Sequence, residues 1–232
     1  MLRTVAHETR NHLNAINQIV CLFIKDPSLS HKIGDLKMLK LNIQNIIVLT
    51  NDLLDFATVL SGREHVKWEP TRLDEIFDDV VATLQPMALH KDLKFNAVLE
   101  EKVTVFTDPH KIHRIALNLG SNAIKYTREG MVSLRFAPCD GSCWMIEVRD
   151  TGPGIQPEDR ERIFEEFQRI LSISGNEPGV GLGLAIVRQL VSLLGGRIEL
   201  ESEVGVGTCF RVILPNNPPP ATNGEAVPTK TV

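Results

Sequence analysis

The sequence predicts an α+β chain, a helical hairpin forming a dimeric four-helix bundle followed by an α/β sandwich. Three observations predict it. Before residue 62, apolar residues recur in two stretches at alternating steps of three and four, the period of packed helices. Between about residues 65 and 215, short runs suited to strands alternate with longer amphipathic ones, the pattern of helices layered on a sheet. From Pro215 onward prolines crowd together and periodicity stops, which marks a tail or linker. The expected divisions are therefore residues 1–62, 63–215 and 216–232.

In the first zone Leu2, Ala6, Thr9, Leu13, Ile16, Val20 and Phe23 form one seam. The stretch Asp26-Pro27-Ser28-Leu29-Ser30 breaks it, with Ser28 or Ser30 as the next helix cap. Leu36, Leu39, Ile43, Ile46, Thr50, Leu53, Ala57 and Leu60 form the second seam. Both are heptad seams, which favour left-handed bundle packing. Ile19, Ile33, Ile47, Leu49 and Leu54 widen the stripe beyond what two antiparallel helices can bury. Two chains together can bury it, so a homodimer is expected through this zone.

The second zone opens with a short strand at 66–69 and an amphipathic helix at 73–89. Strands follow at 93–99 and 103–106. Asp108-Pro109 then opens a helix to Tyr126, with proline at its first position. Segments 132–136 and 144–148 read as a hairpin through Asp140-Gly141. Short helices are expected at 160–169 and 182–194, the latter ended by Gly195-Gly196. Arg197 to Glu201 and Thr208 to Leu214 close the zone as a hairpin through Gly205 and Gly207. Together these make a mixed sheet with helices on one face.

Composition bounds the function. Hydrophobic residues are 43% and charged residues 23%, too apolar for a disordered chain. Lys plus Arg is 25 against 29 Asp plus Glu, a net charge of -4, which excludes a strongly basic nucleic-acid footprint. No apolar run approaches the ~20 residues of a membrane span, and no secretory signal opens the chain, so a cytoplasmic location is expected. Cys21, Cys139, Cys143 and Cys209 form no metal spacing and are expected as free thiols, although Cys139 and Cys143 flank the Asp140-Gly141 turn. His110 and His113 read as a helix-face pair, not a metal site.

Four constellations carry chemistry. In His7-Glu8-Thr9-Arg10-Asn11-His12, the residues His7, Glu8 and Asn11 fall outside the seam. An exposed imidazole beside a carboxylate can act as a nucleophile, the acid managing the proton on the other ring nitrogen. Asn118, Asn122, Lys125 and Tyr126 share one helical stripe beside apolar Ile115, Leu119 and Ala123. An amide oxygen suits Mg²⁺ and an ammonium suits phosphate. Asp150-Thr151-Gly152-Pro153-Gly154-Ile155 follows a strand, where a carboxylate can accept from an exocyclic amine and glycines permit close approach of a flat ring. Gly179-Val180-Gly181-Leu182-Gly183-Leu184 opens a helix, whose free N–H groups favour anions. Between these last two lies Ser172 to Pro178, small and polar as a lid would be.

In this order and spacing the motifs resemble the sensor histidine kinases of two-component signalling, over residues 1 to about 215. His7 to Asn11 is similar to the phosphoacceptor box, Asn118 to Thr127 to the N box, and Asp150 to Ile155 to the G1 box. Ile163 to Arg169 resembles the F box, Gly179 to Leu184 the G2 box, and Gly207-Thr208 the final Gly-Thr motif. The resemblance implies the Bergerat-type ATP-binding fold in the second zone. It implies that His7 is phosphorylated from ATP with Glu8 as its acid/base neighbour. Asn122 would ligate Mg²⁺, Lys125 and Arg169 would meet phosphate, Tyr126 would lie near the nucleotide, and Asp150 would read the adenine amine with Thr208 nearby. Gly181 and Gly183 would shape the lid hinge. Asn118 stands where gyrase-type relatives carry a water-activating glutamate, which favours transfer over hydrolysis. The partner implied is a response-regulator receiver domain, and Asn11 implies phosphatase activity toward it. An upstream sensor domain outside this chain is also implied. One departure is His12, where the family box usually has proline, so the first helix is expected to lack that kink.

Overall fold

The computed structural model describes residues 65–139, 141–168 and 181–218, together with Asn14, Ile16, Gln18, Ile43 and Ile46. Those five are helical, at positions where the two helices are expected. The rest of the expected hairpin, its expected turn and dimer seam, and residues 219–232 lie outside the described residues. The chain divides into two compact units, Met1–Glu64 with Glu158–Ile186 and His65–Pro157 with Val187–Val232.

Within the larger unit the elements run in order β1 (Glu69–Arg72), α1 (Leu73–His90), β2 (Lys94–Leu99), β3 (Thr104–Thr107), α2 (Pro109–Tyr126), β4 (Met131–Pro138) and β5 (Cys143–Asp150). After α3 (Gly183–Leu193), which begins in the smaller unit, come β6 (Arg197–Glu203) and β7 (Gly207–Pro215). The main sheet has the order β2-β4-β5-β7-β6. Only β2 and β4 run parallel there, with Lys94 opposite Met131 and Leu99 opposite Phe136, so the expected mixed sheet is present. Strands β1 and β3 pair separately as an antiparallel two-stranded sheet. The first strand starts three residues later than expected, because Val66 to Trp68 have no strand partner, whereas Glu69 to Arg72 pair with Thr107 to Thr104.

Alternation explains the core. Leu134 and Phe136 of β4, Trp144, Ile146 and Val148 of β5, and Val212 and Leu214 of β7 are buried, on the face that meets the helices. The Phe136 ring stands edge-on to Phe77 of α1 at 5.3 Å and near Trp144 at 5.8 Å, tying helix to sheet. Helices α1 and α2 pack tightly at Gly120, where a Cβ would lie 2.2 Å from Leu84 Cδ1. The other sheet face carries charge: Arg211 of β7 pairs with Glu147 of β5 and Glu201 of β6, both at 2.6 Å. Beneath that cover Cys209 is a free buried thiol, as expected, and burial pushes it up to about 11. The cap at Asp108 also holds. Its side chain accepts from the N–H groups of His110 and Lys111, with Pro109 at the first position.

Two expectations are corrected. Cys139 and Cys143 are not free thiols but a disulfide across the β4–β5 turn, with Cα atoms 5.3 Å apart. The hairpin register causes this: Pro138 faces Trp144, and the Cys139 N–H donates to the Cys143 carbonyl, so the two side chains are cross-strand neighbours. The expected helix over 160–169 is instead a pair of short 3₁₀ turns, Pro157–Asp159 and Arg162–Phe164. Only Ile163 there is buried, and Phe167 takes a left-handed φ of 61°, which a helix cannot accommodate. Residue 169 lies outside the described residues.

Candidate functional site

Helix α2 forms because its apolar stripe packs on α1 and the sheet. Ile112, Ile115, Leu119 and Ile124 are essentially inaccessible. The next stripe round the helix therefore emerges at the edge of the core. Asn118, Asn122, Lys125 and Tyr126 all lie on it, half-buried, as their spacing requires. The Lys125 ammonium sits 4.9 Å from the centre of the Tyr126 ring, within cation–π range.

The end of α2 meets the end of β5. Gly152, buried just after β5, marks the junction. A Cβ there would lie 2.8 Å from Asp150 Oδ1, 3.3 Å from Thr127 Oγ1 and 3.5 Å from the Tyr126 carbonyl. Asp150 thus closes one corner of a polar surface whose other wall is the α2 stripe. Its Oδ1 accepts from the Gly152 N–H at 2.8 Å. Burial drives the Asp150 carboxyl above the usual aspartate range, against the N–H groups of Gly152 and Thr208, which pull it down. A carboxylate at this place is costly to keep charged.

Strands β6 and β7 complete the corner. Thr208 lies opposite Asp150 in the sheet and opposite Ser202 across the hairpin. The Ser202 hydroxyl accepts from the Ile155 N–H at 2.8 Å and reaches the Gly207 carbonyl and the Thr208 hydroxyl, both at 3.0 Å. Gly205 donates to the Pro153 carbonyl at 2.8 Å. The G1-like turn is thereby stapled to the β6–β7 hairpin. Ser202 was not among the residues expected from sequence. Its signal is the pairing of position 202 with 208, which follows only once the hairpin register is known.

At Gly207 the backbone approach is too close for any side chain, while at Gly205 it is open. At Gly207, with φ +144°, a Cβ would stand 2.0 Å from the Asp150 carbonyl oxygen. At Gly205 φ is also positive, +79°, but nothing lies within 4 Å. The pair separates strain from crowding. Gly205→Ala is expected to cost about 1 kcal/mol of stability. Gly207→Ala is expected to cost about 2–4 kcal/mol, since strain and overpacking add. Thermal unfolding of the two variants measures the difference; equal losses would rule out the close approach as the cause.

Within the smaller unit, Gly181 adopts φ +77°, and a Cβ there would lie 2.5 Å from the Gln168 carbonyl. Its own carbonyl accepts from Phe167 N–H at 3.1 Å. Leu182 is buried, and half-buried Gly183 and Leu184 begin α3. The structure therefore brings Asp150, Gly152, Gly154, Ile155 and Thr208 into one corner beside the α2 stripe, and sets Gly181 to Leu184 as a helix-opening turn. His7, Glu8, Asn11, His12, Arg169 and Gly179 lie outside the described residues.

As to a metal, no cluster of three or more His, Cys, Asp or Glu side chains occurs among the described residues. A dedicated carboxylate cage is absent there, but a single amide oxygen, that of Asn122, suits Mg²⁺. That ion keeps water and takes further oxygens from substrate phosphates.

Comparison with known proteins agrees with this fold. The family described as histidine kinase-, DNA gyrase B-, and HSP90-like ATPase matches residues 107–218. Sensor protein TorS of Escherichia coli (strain K12) is 29% identical over 97% of this chain and 25% of its own length. The autoinducer 2 sensor kinase/phosphatase LuxQ of Vibrio parahaemolyticus is 30% identical over 92% of this chain and 26% of its own. The crystal structure of full-length ShkA in complex with AMPPNP superposes with a TM-score of 0.71 at 28% identity, covering 92% of this chain and 45% of that one. The chain spans about a quarter of the length of the two sensor proteins.

Proposed function

We propose, from the premise that this chain belongs to the sensor histidine kinases and carries their ATPase module over residues 107–218, that it is an ATP-dependent protein-histidine kinase core. It phosphorylates itself on His7 and passes the group to an aspartate of a response-regulator receiver domain. The observation that carries this is the corner of Asp150, Gly152 and Thr208, a half-buried carboxylate at a strand end beside backbone held close by glycine. Such a corner suits a flat heterocycle that offers an exocyclic amine. Asp150 accepts from the adenine amine, while Gly152 lets the turn pass beside Asp150 and Thr127 and Gly154 lets it pass against the Glu203 backbone. Tyr126 stands beside the nucleoside.

Along α2, Asn118, Asn122 and Lys125 follow the phosphates. Asn122 would hold Mg²⁺, which would supply charge neutralisation at the triphosphate. A ring nitrogen of His7 attacks the terminal phosphorus, the bond to the bridging oxygen breaks, and ADP leaves. Glu8 holds the proton on the opposite ring nitrogen through the transfer. Asn118 is too weak a base to activate water, so the imidazole competes well as acceptor. Arg169 and the Gly179 to Leu184 turn serve the phosphates and the lid.

In this reading residues 1–62 form the dimeric phosphotransfer hairpin, residues 63–215 the catalytic domain and residues 216–232 a linker. No helix among the described residues is long and apolar enough to cross a membrane. The chain is proposed as the cytoplasmic part of a larger sensor. Asn11, together with the similarity to the sensor kinase/phosphatase LuxQ, favours a second activity, removal of the phosphoryl group from the regulator.

The test is incubation with γ-labelled ATP and Mg²⁺ followed by mapping of the label. One phosphohistidine, at His7, acid-labile and alkali-stable, is expected. Release of phosphate with no labelled protein would point to a plain ATPase of the wider family.

A further inference from the structure

A helix C-terminus leaves its last carbonyls without partners and carries partial negative charge. Helix α2 ends at the residues proposed to meet a polyanion, so both facts matter. The Ala123 carbonyl accepts from the Thr127 N–H at 3.1 Å and from its hydroxyl at 2.7 Å. The next two carbonyls are taken by a residue from another element. The Lys91 ammonium donates to the Ile124 carbonyl at 3.2 Å and to the Lys125 carbonyl at 2.6 Å. Lys91 itself follows α1, where its N–H closes that helix onto Ala88 at 3.0 Å. One residue therefore terminates two helices.

We propose that Lys91 is a positioning residue for the phosphates of the nucleotide. The inference rests on the nucleotide-binding reading above and deepens it. Held by Lys91, the last turn of α2 cannot fray, and that turn carries Lys125 and Tyr126. Because the Lys125 ammonium lies over the Tyr126 ring, the two side chains depend on the same stretch of backbone. The Lys91 charge also offsets the negative pole of α2, which would otherwise oppose phosphate at Lys125. Lys91 touches carbonyls, not substrate, and so acts through Lys125.

The experiment is calorimetric titration of ATP into the full chain and its variants. Lys91→Met keeps the aliphatic stem and removes the donors. It is expected to weaken ATP about tenfold, the scale of a charged hydrogen bond. Lys91→Arg, which can still donate to both carbonyls, is expected to recover affinity to within about threefold. In a Lys125→Met background, Lys91→Met should add less than about twofold, because the two act through one contact. A merely structural role predicts otherwise: the full loss in both backgrounds, tracking the melting temperature, and that result would overturn the proposal. So would unchanged affinity in Lys91→Met. Asp150→Asn is run beside them. If it abolishes binding while Lys91→Met does not weaken it, only the role of Lys91 falls. If Asp150→Asn binds ATP like the parent chain, the nucleotide reading itself falls.

Discussion

Asp150→Asn is expected to weaken ATP binding at least about 100-fold while leaving the apo protein more stable at neutral pH. The two effects have one cause. Asparagine keeps an oxygen for the Gly152 N–H, which Asp150 Oδ1 accepts at 2.8 Å, so the turn is preserved. It loses the second acceptor, presenting an N–H donor to an adenine amine that is also a donor. Loss of a charged hydrogen bond plus an unpaired buried group is worth about 3 kcal/mol, hence the hundredfold. Burial meanwhile holds the Asp150 carboxyl above its ordinary range, so its charge at neutral pH opposes folding. Removing the charge removes that opposition. Calorimetry reads the first effect and thermal unfolding the second. A variant that binds normally, or that melts well below the parent, would contradict this account.

The same shift sets the pH dependence. The native state holds the Asp150 proton more tightly than the unfolded chain does. Between the ordinary and the raised value, the native state binds more protons, so this group's contribution to stability falls as pH rises. Nucleotide affinity runs the opposite way: it is lost as pH falls through the raised Asp150 value, since a protonated carboxyl no longer offers both acceptors. Affinity should therefore decline at higher pH than an ordinary aspartate would dictate, and the decline should vanish in Asp150→Asn. Asp108 has the reverse sign. Burial raises it, but the N–H groups of Lys67 and Lys111 and the Lys111 ammonium outweigh burial and hold it below its ordinary range. Its stabilisation is present above the unfolded value and is lost as pH falls through the native one.

What the sequence disclosed were features written in neighbouring residues. Asp108-Pro109 announced the start of α2, and the spacing of Asn118, Asn122, Lys125 and Tyr126 placed them on one stripe beside a buried one. Gly205 and Gly207 announced the last hairpin. What it did not disclose depends on contacts between distant residues. Ser202 is one polar residue in an edge strand until register sets it against Thr208 and Ile155. Lys91 looks like a surface lysine until α1 and α2 pack and bring it to carbonyls more than thirty positions away. The Cys139–Cys143 pair was visible as a turn, but its closure follows from hairpin register. Over 160–169, weak apolar periodicity resembled a helix, and the left-handed backbone at Phe167 prevented one.

His7→Gln is expected to abolish labelling from γ-labelled ATP while leaving ATP affinity within about twofold of the parent. Glutamine preserves size and polarity but its amide nitrogen is not a nucleophile, so no N–P bond can form. The proposed nucleotide corner is built, among the described residues, from Asp150, Gly152, Ser202 and Thr208, so binding should survive. The dissociation of the two readouts is the point. Asp150→Asn loses affinity and therefore labelling; His7→Gln loses labelling alone. Phosphate release discriminates further. If Asn118 is too poor a base to activate water, His7→Gln leaves the terminal phosphoryl without an acceptor, and release should fall together with labelling. In a plain ATPase, release would continue unchanged in His7→Gln. Persistent labelling of the variant would move the acceptor elsewhere, with His12 the first position to map. The absence of a following acid makes His12 the weaker candidate, because Leu13 cannot hold the proton that Glu8 is proposed to hold for His7.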